Sequence, residues 1–193
     1  MKELQDRIIA EGRVLPGDII KVDGFMNHRV DVKLMRNLAK EFKAHFGDRE
    51  ITKILTVEAS GIPLATITAE EFGVPLLFAK KAKSDNIEGG LIKSEIYSYT
   101  YKKTVTLMIA SEWISPDDKI LIVDDFMANG EAVRGLTEIV EKAGAQLVGL
   151  GIAIEKGFQG GGDRLRARGI DVYSLAIIEH AEPGSITFRE TSD

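Results

Sequence analysis

Residues 120–132 read Ile120-Leu121-Ile122-Val123-Asp124-Asp125-Phe126-Met127-Ala128-Asn129-Gly130-Glu131-Ala132. This stretch decides the fold. Ile120, Leu121, Ile122 and Val123 form an unbroken apolar run, which reads as a strand buried on both faces of a parallel sheet. The run ends in two acids. A short loop with a glycine follows, and a helix begins at Glu131. In open α/β folds that loop lies at the C-terminal edge of the sheet, where ligands bind. Loop N–H groups and the helix N-terminus converge on one spot there, and the helix dipole favours an anion. Asp124 and Asp125, just upstream, can accept hydrogen bonds from sugar hydroxyls or ligand a hydrated magnesium. Together they describe a site for a phosphate and a ribose. A strand-terminal Asp can also be only a cap or turn former, but adjacent acids before a helix-initiating Gly loop favour function. The acid cluster of a receiver domain also follows an apolar strand. It needs roughly 100 residues beyond the pair, in keeping with typical domain size, whereas 68 follow Asp125.

Outward from this core, a helix over 131–143 places Val133, Leu136, Ile139, Val140 and Ala143 on one face. Gly144 is its stop, and a strand over 147–154 completes a βαβ unit. An earlier unit has a strand over 51–57, a helix from about Ile62 and Pro63 to Gly73, and a strand over 74–78. A last strand, 172–178, follows a Gly-rich turn. The pattern predicts one α/β domain over 1–193, a twisted, mainly parallel sheet flanked by helices. Two regions break the rhythm. Residues 1–30 predict a helix with Leu4, Ile8 and Ile9 inward, then short strand pieces over 19–22. A helix over 31–46 follows, with Leu34, Met35, Leu38, Phe42 and Phe46 on one stripe. Residues 80–110 form an insertion that opens Lys80-Lys81-Ala82-Lys83-Ser84-Asp85 and continues as a hairpin over 92–99 and 104–110. Its polar front, about 81–90, is expected to be a mobile lid.

Composition bounds the function. Among 193 residues, 25 Lys and Arg face 30 Asp and Glu, a net charge of −5. That argues against general affinity for nucleic acid or anionic lipid. The 44% hydrophobic and 28% charged residues are those of a globular domain, not a disordered chain. With no cysteine, disulfides, thiolate metal sites and cysteine nucleophiles are all excluded. The first residues lack the apolar core of a signal peptide, and the longest apolar stretch, 147–154, is too short for a bilayer. A cytoplasmic location is expected. Gly149-Leu150-Gly151 sits inside a strand and lacks the third glycine of a dinucleotide fingerprint. His28, His45 and His180 have no paired spacing for zinc. His45 is expected on a helix surface, and Trp113 in the core or at an interface.

The turn Val57-Glu58-Ala59-Ser60-Gly61-Ile62-Pro63 is a smaller version of the same anion cradle. Ala59, Ser60 and Gly61 let the backbone approach an anion, and Ser60 adds a hydroxyl. Two cradles on one sheet edge suit a substrate with two separated phosphate groups. Lys80 and Lys81 follow the strand over 74–78 on that same edge. Lys156 ends the strand over 147–154, where it can donate to a carbonyl oxygen or an anion.

The strand, paired acids, small-residue loop and helix of 120–132 resemble the phosphoribosyl pyrophosphate signature of the type I phosphoribosyltransferases. Beyond it, three pieces resemble the bacterial xanthine branch of that family, of the Bacillus kind, along nearly the whole chain. These are Lys21-Val22-Asp23-x-Phe25-x-Asn27-His28, the turn 57–62, and Ile154-Glu155-Lys156-x-Phe158-Gln159. Most of the superfamily has a Thr-Gly-rich phosphate loop. The form here, Ala128-Asn129-Gly130-Glu131-Ala132, is shared with the xanthine branch.

The resemblance implies purine salvage: a purine displaces pyrophosphate from phosphoribosyl pyrophosphate, with xanthine giving xanthosine monophosphate. Guanine, hypoxanthine or adenine are alternative bases, and a non-catalytic receptor for the sugar is the alternative class. A repressor of that kind should carry a DNA-binding domain, for which residues 1–30 are too short. The implied contacts are these. Asp124 and Asp125 bind the ribose and favour positive charge at the anomeric carbon. The 5-phosphate sits on the amides of Ala128, Asn129, Gly130, Glu131 and Ala132, with the Glu131 side chain turned away. Pyrophosphate and its magnesium lie by Ala59, Ser60, Gly61 and Lys81, the metal carried by the substrate rather than held by the protein alone. Lys156 reads the oxygen at the six-position of the base. Asn27 and the Ile20 backbone, from an N-terminal hood, supply further polar contacts, and Phe126 or Phe158 stacks on the ring. A homodimer is expected, without nucleic acid or membrane partners.

Overall fold

The structure is a computed structural model that describes residues 1–81, 90–98 and 103–190. In chain order its elements are α1 (Lys2–Glu11), β1 (Arg13–Leu15), β2 (Ile19–Lys21), a π-helical turn (Asp23–Asn27) and α2 (Val32–Phe46). Next come β3 (Lys53–Val57), α3 (Gly61–Phe72), β4 (Leu76–Ala79), β5 (Leu91–Ser98) and β6 (Lys103–Ala110). The chain continues through β7 (Lys119–Met127), α4 (Glu131–Lys142), β8 (Gln146–Lys156), α5 (Gly161–Ala167), β9 (Val172–Glu182) and β10 (Ser185–Phe188). Six strands form the central sheet in the order β10-β9-β8-β7-β3-β4. All neighbours are parallel except β10, which returns antiparallel to β9.

Each face of the sheet buries its own cluster. On one side, Leu121, Val123, Ala153 and Ile178 meet Leu4 and Ile8 of α1, the α2 stripe, and Leu64 of α3. On the other, Ile120, Ile122, Leu150 and Ile152 meet Val133, Leu136, Ile139 and Val140 of α4, Leu165 of α5, and Ile96 and Leu107 of the hairpin. This two-sided burial is why the central strands are continuously apolar. The α2 stripe is exact in its spacing, and Asp31 caps that helix by accepting from the N–H groups of Lys33 and Leu34, both at 3.1 Å. The glycines of β8 serve packing, not ligand binding. A Cβ at Gly149 would come within 2.6 Å of the Phe46 ring, and one at Gly151 within 3.0 Å of Phe42.

Several expectations are corrected. β7 does not end at Val123 but runs through both acids to Met127, because β8 beside it extends to Lys156 and pairs with the added residues. Ile9 is exposed, since only Leu4 and Ile8, four apart, share the inward face of α1. Trp113 is 61% exposed and so is not in the core. His45 is half-buried, its ring stacked on Tyr173 with centroids 4.1 Å apart and Nε2 at 3.1 Å from Asp171. The Gly-rich turn before β9 contains α5, which its three glycines concealed. The hairpin is present as β5 and β6. Tyr99, Lys83 and the expected lid over 81–90 lie, save Lys81 and Gly90, outside the described residues. Among the described residues, no helix is long and apolar enough to cross a membrane.

Candidate functional site

The C-terminal edge of β3, β7 and β8 gathers the site. Asp124 and Asp125 are 4% and 3% exposed, deep for adjacent carboxylates. The N–H of Asp125 donates to Asp124 Oδ1 at 3.0 Å. Burial, and after it the charge of Asp125, pushes the Asp124 carboxyl well above the ordinary carboxylate range. Gly61, at the start of α3, leaves room for this packing. A Cβ there would come within 2.6 Å of Asp124 Oδ1 and 2.3 Å of Thr56 Oγ1.

Asp125 joins three parts of the chain. Its Oδ1 accepts from Ser60 Oγ at 3.0 Å, and its Oδ2 from Asn27 Nδ2 at 3.1 Å. The Ser60 hydroxyl therefore serves the acid rather than pointing to an anion, since a buried carboxylate is the strongest acceptor within its reach. The same reason turns the Asn27 amide inward. The hood is thereby fastened over the acid pair. The backbone of Ala59, Ser60 and Gly61 forms the turn between β3 and α3, and the Glu58–Ala59 peptide is cis. The Lys81 N–H donates to Glu58 Oε1 at 2.5 Å, which ties the start of the insertion to this turn.

Residues 128–132 form the loop from β7 into α4, with Gly130 at φ +82° as the N-cap. A left-handed cap suits glycine, and it leaves the first N–H groups of α4 free of intrahelical partners. Ala128, Asn129, Gly130, Glu131 and Ala132 line a cavity of about 200 Å³ together with Lys81, Tyr97 and Phe126. Glu131 is neutralised locally: its Oε2 lies 3.2 Å from Arg134 Nη2 and 3.4 Å from the Tyr97 N–H.

Lys156 ends β8 and reaches the hood, donating to the Asp18 carbonyl at 2.8 Å. Its ammonium lies 6.0 Å from the centroid of the Phe126 ring. Phe126 is thus the aromatic ring beside the lysine, whereas Phe158 is 38% exposed. Desolvation lowers the Lys156 pKa from the ordinary lysine value. Ile20 pairs with Val14 in the hood hairpin and buries its side chain, two residues beyond the Asp18 carbonyl that Lys156 meets. The structure thus ties Asn27 and Ser60 to Asp125 and ties Lys156 to the hood at Asp18, while Lys81, Phe126 and residues 128–132 line one cavity.

Sequence reasoning missed a buried polar cluster beside Lys156 at the end of β8. Glu155 is fully buried and accepts from Arg166 through two bonds, 3.0 and 2.6 Å, and from Ser174 Oγ at 2.5 Å. Gly162 lies against that carboxylate, where a Cβ would be 2.1 Å from Oε1. The adjacent glycines ahead of Asp163-Arg164-Leu165-Arg166 were the available signal, because close backbone approach is what such glycines permit.

Residues 26–176 match the family model described as "Phosphoribosyl transferase domain". A xanthine phosphoribosyltransferase of Bifidobacterium longum subsp. infantis is 51% identical over 192 residues, 98% of this chain and 100% of that protein. A xanthine phosphoribosyltransferase of Bacillus cytotoxicus is 47% identical, covering 100% of this chain and 99% of its own. Among solved structures, the APRTase of Giardia lamblia in complex with 9-deazaadenine superposes with a TM-score of 0.77 at 23% identity. It covers 92% of this chain and 98% of its own. The adenine phosphoribosyltransferase of Rhodothermus marinus gives 0.73 at 22%, covering 91% and 98%. At such identities these two speak for the fold.

Proposed function

The chain belongs to the phosphoribosyltransferase family, and from that premise we propose that it is a xanthine phosphoribosyltransferase of purine salvage. Xanthine displaces pyrophosphate from phosphoribosyl pyrophosphate, giving xanthosine monophosphate. The observation that carries the reading is the meeting of Asn27 and Ser60 on Asp125, at the end of the strand that leads into the 128–132 loop. It is supported by about half of all residues being identical to enzymes with that name over nearly the full chain.

In this reading the 5-phosphate sits on the amides of residues 128–132. Asp124 and Asp125 face the ribose, and the ionised acid of the pair favours the positive charge that develops at the anomeric carbon. Ala59, Ser60, Gly61 and Lys81 meet the leaving diphosphate. Lys156 donates to the six-position oxygen of the base, with Phe126 beside it, and Asn27 and the Ile20 backbone address the two-position. A magnesium that arrives on the diphosphate would lie by Ala59, Ser60, Gly61 and Lys81. When bound, it would supply charge neutralisation to the leaving group. The chain 1–193 acts as one domain, as a homodimer in the cytoplasm.

The test is pyrophosphate release with magnesium and phosphoribosyl pyrophosphate, run separately with xanthine, guanine, hypoxanthine and adenine. Xanthine is expected to give the highest kcat/KM and xanthosine monophosphate as product. A higher value with any of the other three would reassign the substrate, and no release with any base would remove the enzyme reading.

A further inference from the structure

The phosphate loop owes its shape to α5, a short helix outside the signature. Arg164 Nη2 donates to the Asn129 carbonyl at 3.1 Å, while its Nη1 donates to the Gln159 carbonyl at 3.3 Å. The preceding carbonyl, of Ala128, is also turned to α5, where a Cβ on Gly161 would come within 2.2 Å of it. Two successive carbonyls of the loop therefore face the same helix. In a planar trans peptide the N–H points opposite its C=O, and among the described residues only Glu58–Ala59 is cis. The Asn129 N–H is then turned away from Gly161, and the Gly130 N–H points away from the Arg164 guanidinium, while the Gly130 nitrogen itself packs against Gly161. Among the described residues, neither donates to a backbone carbonyl. The helix that collects the carbonyls is itself latched. Arg166 grips Glu155 with two bonds and the Val172 carbonyl with a third at 3.2 Å, and Gly162 lies on the Glu155 carboxylate.

Resting on the reading that the sugar 5-phosphate binds at residues 128–132, we propose that Arg164 is a positioning residue. By holding the Asn129 carbonyl to the α5 side of the loop, it keeps the Gly130 N–H turned to the phosphate. Arg164 does not touch the reacting atoms. Its effect is confined to affinity for the phosphorylated sugar.

Equilibrium binding of ribose 5-phosphate and of xanthine, with steady-state kinetics on the full chain, tests this. Arg164 is exposed, so Arg164→Ala is expected to keep its melting temperature. Its Kd for ribose 5-phosphate and KM for phosphoribosyl pyrophosphate should rise about ten-fold, what one charge-assisted hydrogen bond supports. Values of kcat and of KM for xanthine should stay within about two-fold of wild type, because the loop orients a group that binds ground state and transition state alike. Arg164→Gln, a neutral donor, should recover most of the loss. Unchanged ribose 5-phosphate affinity in Arg164→Ala overturns the proposal. So does an equal loss toward xanthine, which marks general loosening, or recovery by Arg164→Lys but not by Arg164→Gln, which marks a direct charge effect on the phosphate. A wild-type protein that binds ribose 5-phosphate yet makes no nucleotide would instead refute the enzymatic reading and leave this one standing.

Discussion

Asn27, in the hood, donates its side-chain amide to Asp125 Oδ2 at 3.1 Å, across 98 positions of sequence. Ser60 occupies the other oxygen, so in the proposed function the acid assigned to the ribose has both oxygens engaged by groups assigned to the base and the diphosphate. Sugar hydroxyls must compete for that carboxylate, and an Asn27 amide released from it becomes free to meet a base. Under that proposal, recognition of sugar and recognition of base would share one hydrogen bond.

Asp125→Ala should cut kcat by 10²–10³, the roughly 2–4 kcal/mol that removal of one charge-stabilising group costs a transition state. Ser60 and Asn27 lose their acceptor in the same substitution, so binding of both substrates is expected to weaken as well. Steady-state kinetics on a variant with wild-type circular dichroism makes the measurement. Unaltered turnover would take the acid pair out of the chemistry.

Asp124→Asn should stabilise the protein while impairing it. Burial and the charge of Asp125 raise the Asp124 pKa in the folded state, against about 3.9 in an unfolded chain. Between those values the folded form holds a proton that the unfolded form has released, so its contribution to stability declines as pH rises. The neutral amide escapes that decline. At pH 8 the variant should melt about 2–4 °C higher for each kcal/mol recovered, with the gain shrinking toward pH 4. A constant difference across this range would show that ionisation of Asp124 is not its source.

Asn27→Leu and Lys156→Met should separate the two ends of the base. A lysine that donates to a six-position oxygen treats xanthine and hypoxanthine alike, so Lys156→Met weakens both together. In the proposed function Asn27 addresses the two-position, where xanthine has an oxygen and hypoxanthine a hydrogen. Its replacement should lower the kcat/KM ratio of xanthine to hypoxanthine by about ten-fold or more, the loss expected when a site's own donor disappears. Full xanthine preference in Asn27→Leu would place the discrimination elsewhere.

Arg166→Met should destabilise the fold by about 3–5 kcal/mol, because Glu155 is then left buried without its cation. Urea unfolding at pH 7 reads this directly. The double variant Glu155→Gln/Arg166→Met should recover part of the loss, since the uncompensated charge is gone. Equal stability of the single variant and the wild type would mean that water or another residue satisfies Glu155.

The α/β class, the two βαβ units of the central sheet and the two loops of the sheet edge were legible in the residues themselves. Continuous apolar runs at 120–123 and 147–154 imply burial on both faces, and the stripes of α2 and α4 repeat at helical period. These are local patterns, set by solvent and by chain geometry within a few residues. Asp124, Asp125 and residues 128–132 were legible for the same reason, being contiguous. What Ser60 and Asn27 do with their polar atoms was not, because their partner Asp125 lies 65 and 98 positions away. Nor was α5, whose glycines read as a turn until Glu155 and the Ala128 carbonyl are seen packed against them. A hydrogen bond across the fold leaves no periodic trace in the chain, since it constrains only the two residues that meet. Tertiary structure alone decided which buried carboxylate received which donor.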